Sequence, residues 1–234
     1  MEDIKALETP YDGHLFRSRR EARWAVFFNV AEIPWEYEPQ GYDLGQAGWY
    51  LPDFRINADT HSELFFEVKG KIPTREELAK AEALGEQSKL PVYVYFDQVR
   101  LPAPASVAEM GSDEFFDGVY QEQERIHARE WSADPHAGWP SMTFDLHRVW
   151  IDDYKPTAYA VFRGRNGVAS SRKAQWWWTD CPHCGLVVLK SWGQVGGCPK
   201  GEDYFSEWPT FRHATKRLQD AYAAARSARF GKAA

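Results

Sequence analysis

The stretch Leu64-Phe65-Phe66-Glu67-Val68-Lys69-Gly70 decides how this chain is read. It is a short apolar run that ends in an acid, a spacer, a lysine and a glycine. Side chains alternate between faces along a strand, so Glu67 and Lys69 share one face while Val68 points into packing. Fourteen residues before Glu67 stands Asp53, preceded by Pro52, at the start of a second strand candidate, Asp53-Phe54-Arg55-Ile56. The polar segment 57–63 reads as a hairpin loop, so the two strands are expected to run antiparallel. An acid on one strand, with an acid and a lysine on its neighbour, can hold a divalent cation beside a phosphodiester. The opposing reading is an ordinary strand with solvated Glu67 and Lys69.

Upstream, Ser18-Arg19-Arg20-Glu21 opens a helix to about Val30. Its buried face is Trp24, Ala25, Phe27 and Phe28, and Ile33-Pro34 ends it. Residues 35–38 alternate as a strand, Pro39-Gln40-Gly41 is a turn, and 42–44 and 48–51 flank a Gly-rich connection. The first dozen residues are polar and expected to be loosely held. Downstream, Thr74-Arg75-Glu76-Glu77 is a capping box that starts a helix to about Lys89. Residues 92–96 follow as an apolar, β-prone run of the kind buried on both faces. Strand, helix and buried strand in this succession form a crossover, so 92–96 is expected parallel to 64–68. The fold class is α/β (α+β): a mixed sheet flanked by helices.

Beyond Phe96 the texture changes. Leu101-Pro102-Ala103-Pro104-Ala105 reads as a linker, 113–130 as a helix and 132–141 as loop. Residues 149–162 and 175–178 have β character. Trp176-Trp177-Trp178 suits the core of a small β unit better than a base-stacking platform. It leads into Cys181-Pro182-His183-Cys184-Gly185, which has the spacing of a zinc knuckle, and Cys198 offers a third ligand. Gly196-Gly197 precede Cys198, so no fourth cysteine is at hand; His183 and His213 are candidates for the fourth position, and a missing fourth ligand would mean a degenerate site. A redox role for the cysteine pair is weaker, because no thioredoxin-like strand precedes it. A structural Zn²⁺ would fold a small zinc-ribbon-like region rather than catalyse. A last helix, 215–230, carries Arg217, Arg226 and Arg229. The expected units are 1–100, a linker and helical insertion at 101–148, and 149–234.

The 234 residues suffice for one large domain or two small ones, and eleven tryptophans mark a globular chain. A formal net charge of −6 argues against binding nucleic acid by overall charge, although a local basic patch or a bound metal suffices to engage a backbone. No apolar run reaches membrane-spanning length, and Met1-Glu2-Asp3 does not open a signal peptide, so no membrane partner is expected. Three cysteines fit a reducing interior better than a disulfide framework, so an intracellular, cytoplasmic location is expected. The histidines form no Ser/His or Cys/His system, and no phosphate-cradling glycine loop occurs.

Pro52-Asp53 followed by Glu67-Val68-Lys69, in the order helix, strands, helix, strand, resembles the PD-(D/E)XK nuclease superfamily over roughly residues 14–100. The segments 16–28, 35–39 and 50–54 resemble its phage-associated members, and that likeness extends toward the cysteine pair and the tail. The resemblance implies a restriction-endonuclease-like fold and Mg²⁺- or Mn²⁺-dependent cleavage of DNA. It makes Asp53 and Glu67 metal ligands and Lys69 the catalytic base or water-positioner. It also suggests Glu21 as a further active-site acid, since many members place one on the first helix. Glu21 lies on the helix face of Ala25 and Phe28, although Ser18-x-x-Glu21 is equally a capping box. Arg19, Arg20 and Arg23 are candidate phosphate contacts, with a solvated helix start as the plainer explanation. The rival expectations are a non-catalytic DNA- or protein-binding module on the same fold and, within the enzyme class, a junction- or flap-specific nuclease.

Overall fold

A computed structural model describes residues 7–60, 62–96, 98–99, 158–163, 169–174, 176–181, 184–191 and 215–231. The linker, the helix expected at 113–130, His183, Cys198 and His213 lie outside the described residues.

The chain opens with a hairpin, β1 (Thr9–Tyr11) and β2 (His14–Phe16), turning at Asp12-Gly13, both with positive φ. That combination is the two-residue turn Asp-Gly favours. It holds in place residues expected to be loose, and Phe16 is fully buried. Helix α1 (Arg19–Val30) follows, with Ser18 as its N-cap. Then come β3 (Trp35–Tyr37), a small hairpin of β4 (Tyr42–Asp43) and β5 (Trp49–Tyr50), β6 (Phe54–Ile56) and β7 (Leu64–Val68). Helix α2 (Arg75–Ser88) begins at a complete Thr74/Glu77 capping box. After β8 (Val92–Tyr95), the later segments supply β9 (Ala158–Arg163), β10 (Ala169–Ala174), β11 (Trp176–Asp180), β12 (Val187–Ser191) and α3 (Lys216–Ser227).

Among the described residues the principal sheet is mixed, in the order β10-β9-β8-β7-β6-β3. β6 pairs antiparallel with β7, with Phe54 opposite Phe66, and β7 pairs parallel with β8, as the hairpin loop and the crossover helix require. Helices cover both faces. On one, Trp24, Phe27 and Phe28 of α1 pack on Phe54, Phe66 and Tyr95, and Leu218, Ala221, Tyr222 and Ala225 of α3 complete the same cluster. On the other, Ala81 and Leu84 of α2 pack on Phe65, Val92, Val94 and Val161. Gly85 allows that close approach, since a Cβ there would lie 3.2 Å from the Val161 side chain.

The described later segments join the sheet and the core of the first hundred residues. β9 pairs with β8 and extends the sheet. The hairpin β11–β12 delivers Trp176 and Trp178 into the α1 cluster, where Trp178 touches Phe27, Phe28 and Phe66 at ring-centroid distances of 5.6–6.1 Å. These two tryptophans are core residues, but of the principal core and not of the small β unit that their sequence context suggested. No helix among the described residues is long and apolar enough to cross a membrane.

Candidate active site

The site forms where β6 and β7 run past their last ladder pair. One step beyond Phe54 and Phe66, Asp53 stands opposite Glu67. Each carboxylate clasps the other strand: the Val68 N–H donates to Asp53 Oδ2 at 2.7 Å, and the Asp53 N–H donates to Glu67 Oε1 at 3.2 Å. Both residues are buried, Glu67 to 1% exposure and Asp53 to 4%. The reading of Glu67 as a solvated strand residue is therefore wrong. Lys69, one residue past β7, turns its ammonium back to Glu67 Oε2 at 3.4 Å.

This proximity carries an electrostatic penalty. Burial and the adjacent Glu67 push the Asp53 carboxyl well above the usual carboxylate range, although Lys69 and the Val68 N–H oppose them. Burial works against the Lys69 ammonium, but Glu67 and Asp53 more than offset it, so its pKa is raised and the side chain stays charged near neutrality. Gly70 is exposed with open space around it, so nothing here requires a glycine.

Glu21 belongs to the neighbourhood and is also committed locally. The Ser18 hydroxyl donates to its Oε1 at 2.7 Å, while the Tyr37 hydroxyl (2.8 Å) and the Arg17 N–H (3.1 Å) donate to its Oε2. Its charge contributes to the upward shift of Asp53, which places it within electrostatic reach of the pair.

Three residues at the site were not expected. Arg17 Nη2 lies 3.0 Å from Asp53 Oδ1 and its Nε 2.6 Å from Glu38 Oε1. The Tyr50 hydroxyl, carried on β5, hydrogen-bonds Glu67; burial and that carboxylate push its pKa far up and keep it a donor. Tyr37 is likewise pushed up, by burial and by Glu21, despite the Arg17 N–H. Two arginines, Arg20 (a candidate phosphate contact) and Arg217, are tied into the fold. Arg20 Nη1 donates to the carbonyls of Lys69 (2.9 Å) and Phe96 (3.3 Å), fixing the backbone that carries the lysine. Arg217 donates to the carbonyls of Ala31 and Gly185 and pairs with Asp180, which ties α3 to α1 and to the β11–β12 turn. Arg19 is exposed and Arg23 half-buried.

Among the described residues no three His, Cys, Asp or Glu side chains stand as a group ready to hold a metal ion. Asp53 and Glu67 still fit Mg²⁺, which binds through one or two carboxylates and keeps several waters. Asp53, pushed up by burial and by the adjacent Glu67, is a donor that a cation would relieve. Cys181 is buried and Cys184 half-buried, and neither is in a disulfide. The turn between β11 and β12 closes through Gly185 N–H to Cys181 O (2.8 Å) and Cys181 N–H to Leu186 O (2.9 Å), with Gly185 at φ +71°. A side chain at 185 would be strained in that left-handed turn.

Comparison with known proteins yields no match: no family model, no curated protein and no solved structure resembles the chain significantly.

Proposed function

We propose that this chain is a Mg²⁺- or Mn²⁺-dependent nuclease that hydrolyses DNA phosphodiester bonds, built on a restriction-endonuclease-like fold of the PD-(D/E)XK kind. The observation that carries the reading is the buried Asp53–Glu67 pair, set at one end of the central strands with Lys69 beside it. A buried acid pushed up by burial and by a second buried carboxylate is a functional-site candidate. Asp53 and Glu67 would hold the ion. The ion would supply Lewis-acid stabilisation of the charge that develops on the phosphoryl oxygens.

Lys69, kept in its ammonium form, would orient the attacking water and bear on the developing charge. Arg20 holds the Lys69 backbone, and Tyr50 fixes the Glu67 carboxylate. Glu21 acts at one remove, through Tyr37 and the Arg17 backbone. A structural Zn²⁺ on Cys181, Cys184 and Cys198, with a histidine as fourth ligand, remains part of the proposal. So does a cytoplasmic location in a bacterial or phage-infected cell.

The decisive experiment incubates the purified chain with linear, circular, single-stranded and branched DNA in Mg²⁺, Mn²⁺ or EDTA. Cleavage is expected with either metal, none in EDTA, and strong loss in Asp53→Ala and Lys69→Ala. Absence of cleavage on every substrate, or cleavage undiminished in both variants, refutes the enzyme reading and favours a binding module. A preference for the branched substrate identifies a structure-specific nuclease.

A further inference from the structure

The β4–β5 hairpin is anchored on one side and open on the other. Tyr42, Leu44 and Tyr50 pack against the Phe65 cluster, with the Tyr42 and Phe65 ring centroids 5.6 Å apart. Tyr50 turns its hydroxyl in to Glu67. Neighbours in a strand face opposite ways, so Trp49 is turned out, and it is 75% exposed. Among the described residues, Trp24, Trp35, Trp176 and Trp178 each pack against another ring, whereas Trp49 does not. The Cε3–Cζ3 edge of its indole lies over Gly41, where a Cβ would come within 3.7 Å of it. Asp43, opposite Trp49 in the hairpin, turns its carboxylate into the loop, to the Gly45 N–H at 3.0 Å. Asp53 stands four residues further along the chain, so its Cα is at most about 14 Å from that of Trp49. Leu51, Lys71 and Ile72 are exposed too, which makes the segments flanking Asp53 and Lys69 both apolar and basic.

We infer that Trp49 selects the substrate: its open ring stacks on an unpaired base of a single-stranded DNA segment, a few nucleotides from the scissile phosphate. The inference rests on the nuclease reading for the scissile phosphate and not for the stacking. A large apolar ring left in water contributes little to folding, and the hairpin is already anchored without it. Stacked on a base, the same ring is withdrawn from water. In closed duplex each base lies between its neighbours and hides both faces. An unpaired base has a face to offer, whatever its identity, so this recognition is blind to sequence. Lys71, exposed beside Ile72, supplies positive charge for the backbone of the same segment.

The test measures binding of the full chain to a labelled oligonucleotide, single-stranded or annealed to its complement. Fluorescence anisotropy in Ca²⁺ is the readout, with strand length checked afterwards. The parent chain should bind the single strand more tightly than the blunt duplex. Trp49→Ala should weaken single-strand binding about tenfold, the scale of losing one base–aromatic stack, and leave duplex binding within about twofold. Trp49→Leu, apolar but without a π-face, should lose it too and serves if the alanine variant folds poorly. Trp49→Phe should keep most of the affinity. Val30→Ala, which trims an exposed apolar residue at the C-terminal end of α1, should change neither DNA form. In Mg²⁺, the ratio of kcat/KM on single-stranded DNA to that on duplex should fall about tenfold in Trp49→Ala. Unchanged single-strand binding in Trp49→Ala and Trp49→Leu, or an equal loss on both DNA forms, overturns the inference. If single-strand binding depends on Trp49 and no DNA is cut, the nuclease reading fails and the stacking stands. If the parent chain cuts DNA and Trp49→Ala cuts single strands equally well, Trp49 loses its role and the nuclease reading survives.

Discussion

The two faces of β7 carry opposite chemistries to the same depth. On one face Phe66 lies among Trp24, Phe28 and Tyr95, with ring centroids 4.9–5.5 Å away. On the other, Phe65 packs under α2, and two residues later Glu67 is just as buried, against Asp53, Lys69 and Tyr50. A buried aromatic stabilises by roughly 1.5–3 kcal/mol through the surface it withdraws from water. A buried carboxylate is opposed by several kcal/mol of desolvation unless its partners are complete. One face is apolar throughout, and the other passes from the apolar packing of Phe65 to a charge that the fold alone does not require.

Substitutions on the two faces should therefore fail in opposite ways. Glu67→Gln keeps shape and loses charge, so Mg²⁺-dependent cleavage should drop by about 10³-fold while the melting temperature holds or rises. Phe66→Ala should lose about 3–5 kcal/mol in urea denaturation, with cleavage per folded molecule largely kept at a permissive temperature. If Glu67→Gln destabilises the chain as much as Phe66→Ala does, the contrast collapses and Glu67 is a structural residue.

Asp53 sharpens the same contrast through pH. Its folded pKa is raised above the unfolded value, so between the two the folded chain binds more protons than the unfolded chain. Stability from this group therefore falls as pH rises through that window, the reverse of an ordinary salt-bridged aspartate. In metal-free buffer, melting temperature should decline from mildly acidic pH toward neutrality. Asp53→Asn should flatten that decline and gain about 1 kcal/mol at neutral pH, roughly 2–4 °C for a chain of this size. A flat parent profile, or a neutral-pH loss in Asp53→Asn, shows that the Val68 and Arg17 contacts outweigh the repulsion.

The central part of this arrangement could be read because its signals are local. The alternation through 64–69, the capping box at Thr74 and the proline at 91 fix β7, α2 and β8 within one window of sequence. The parts that escaped have partners far along the chain. Arg17 reaches Asp53 across 36 residues, and no spacing rule links a loop arginine to a strand acid. Tyr50 comes to Glu67 on a two-strand hairpin too short to show a period. β9 joins β8 only after the long segment that follows Phe96, so its membership in this sheet is set by pairing and not by pattern. The β1–β2 hairpin, in a stretch expected to be loose, has its turn signal in Asp12-Gly13, but its three-residue strands are too short to show an alternation. Arg20 is the opposite case, a basic residue whose type suggested a phosphate contact and whose neighbours include the main-chain carbonyls of Lys69 and Phe96.

The smallest expected effect separates the two helix starts, which share one motif. At α2 the motif closes on itself: the Thr74 N–H donates to Glu77 at 2.7 Å, the Glu77 N–H donates to the Thr74 hydroxyl at 3.2 Å, and both residues face solvent in whole or part. At α1 the Ser18 hydroxyl accepts the Glu21 N–H in the same way, but the Glu21 carboxylate turns to Arg17 N–H and Tyr37 instead and is buried. Ser18→Ala and Thr74→Ala each remove a cap worth about 1 kcal/mol, so similar falls in stability are expected. Only Ser18→Ala also frees a Glu21 oxygen beside the acid pair, so only it should change cleavage, by a few-fold at a temperature where both variants are folded. Equal cleavage in the two variants would assign Glu21 to the cap alone. Unequal cleavage assigns its carboxylate to the site, since the cap energy removed is the same in both.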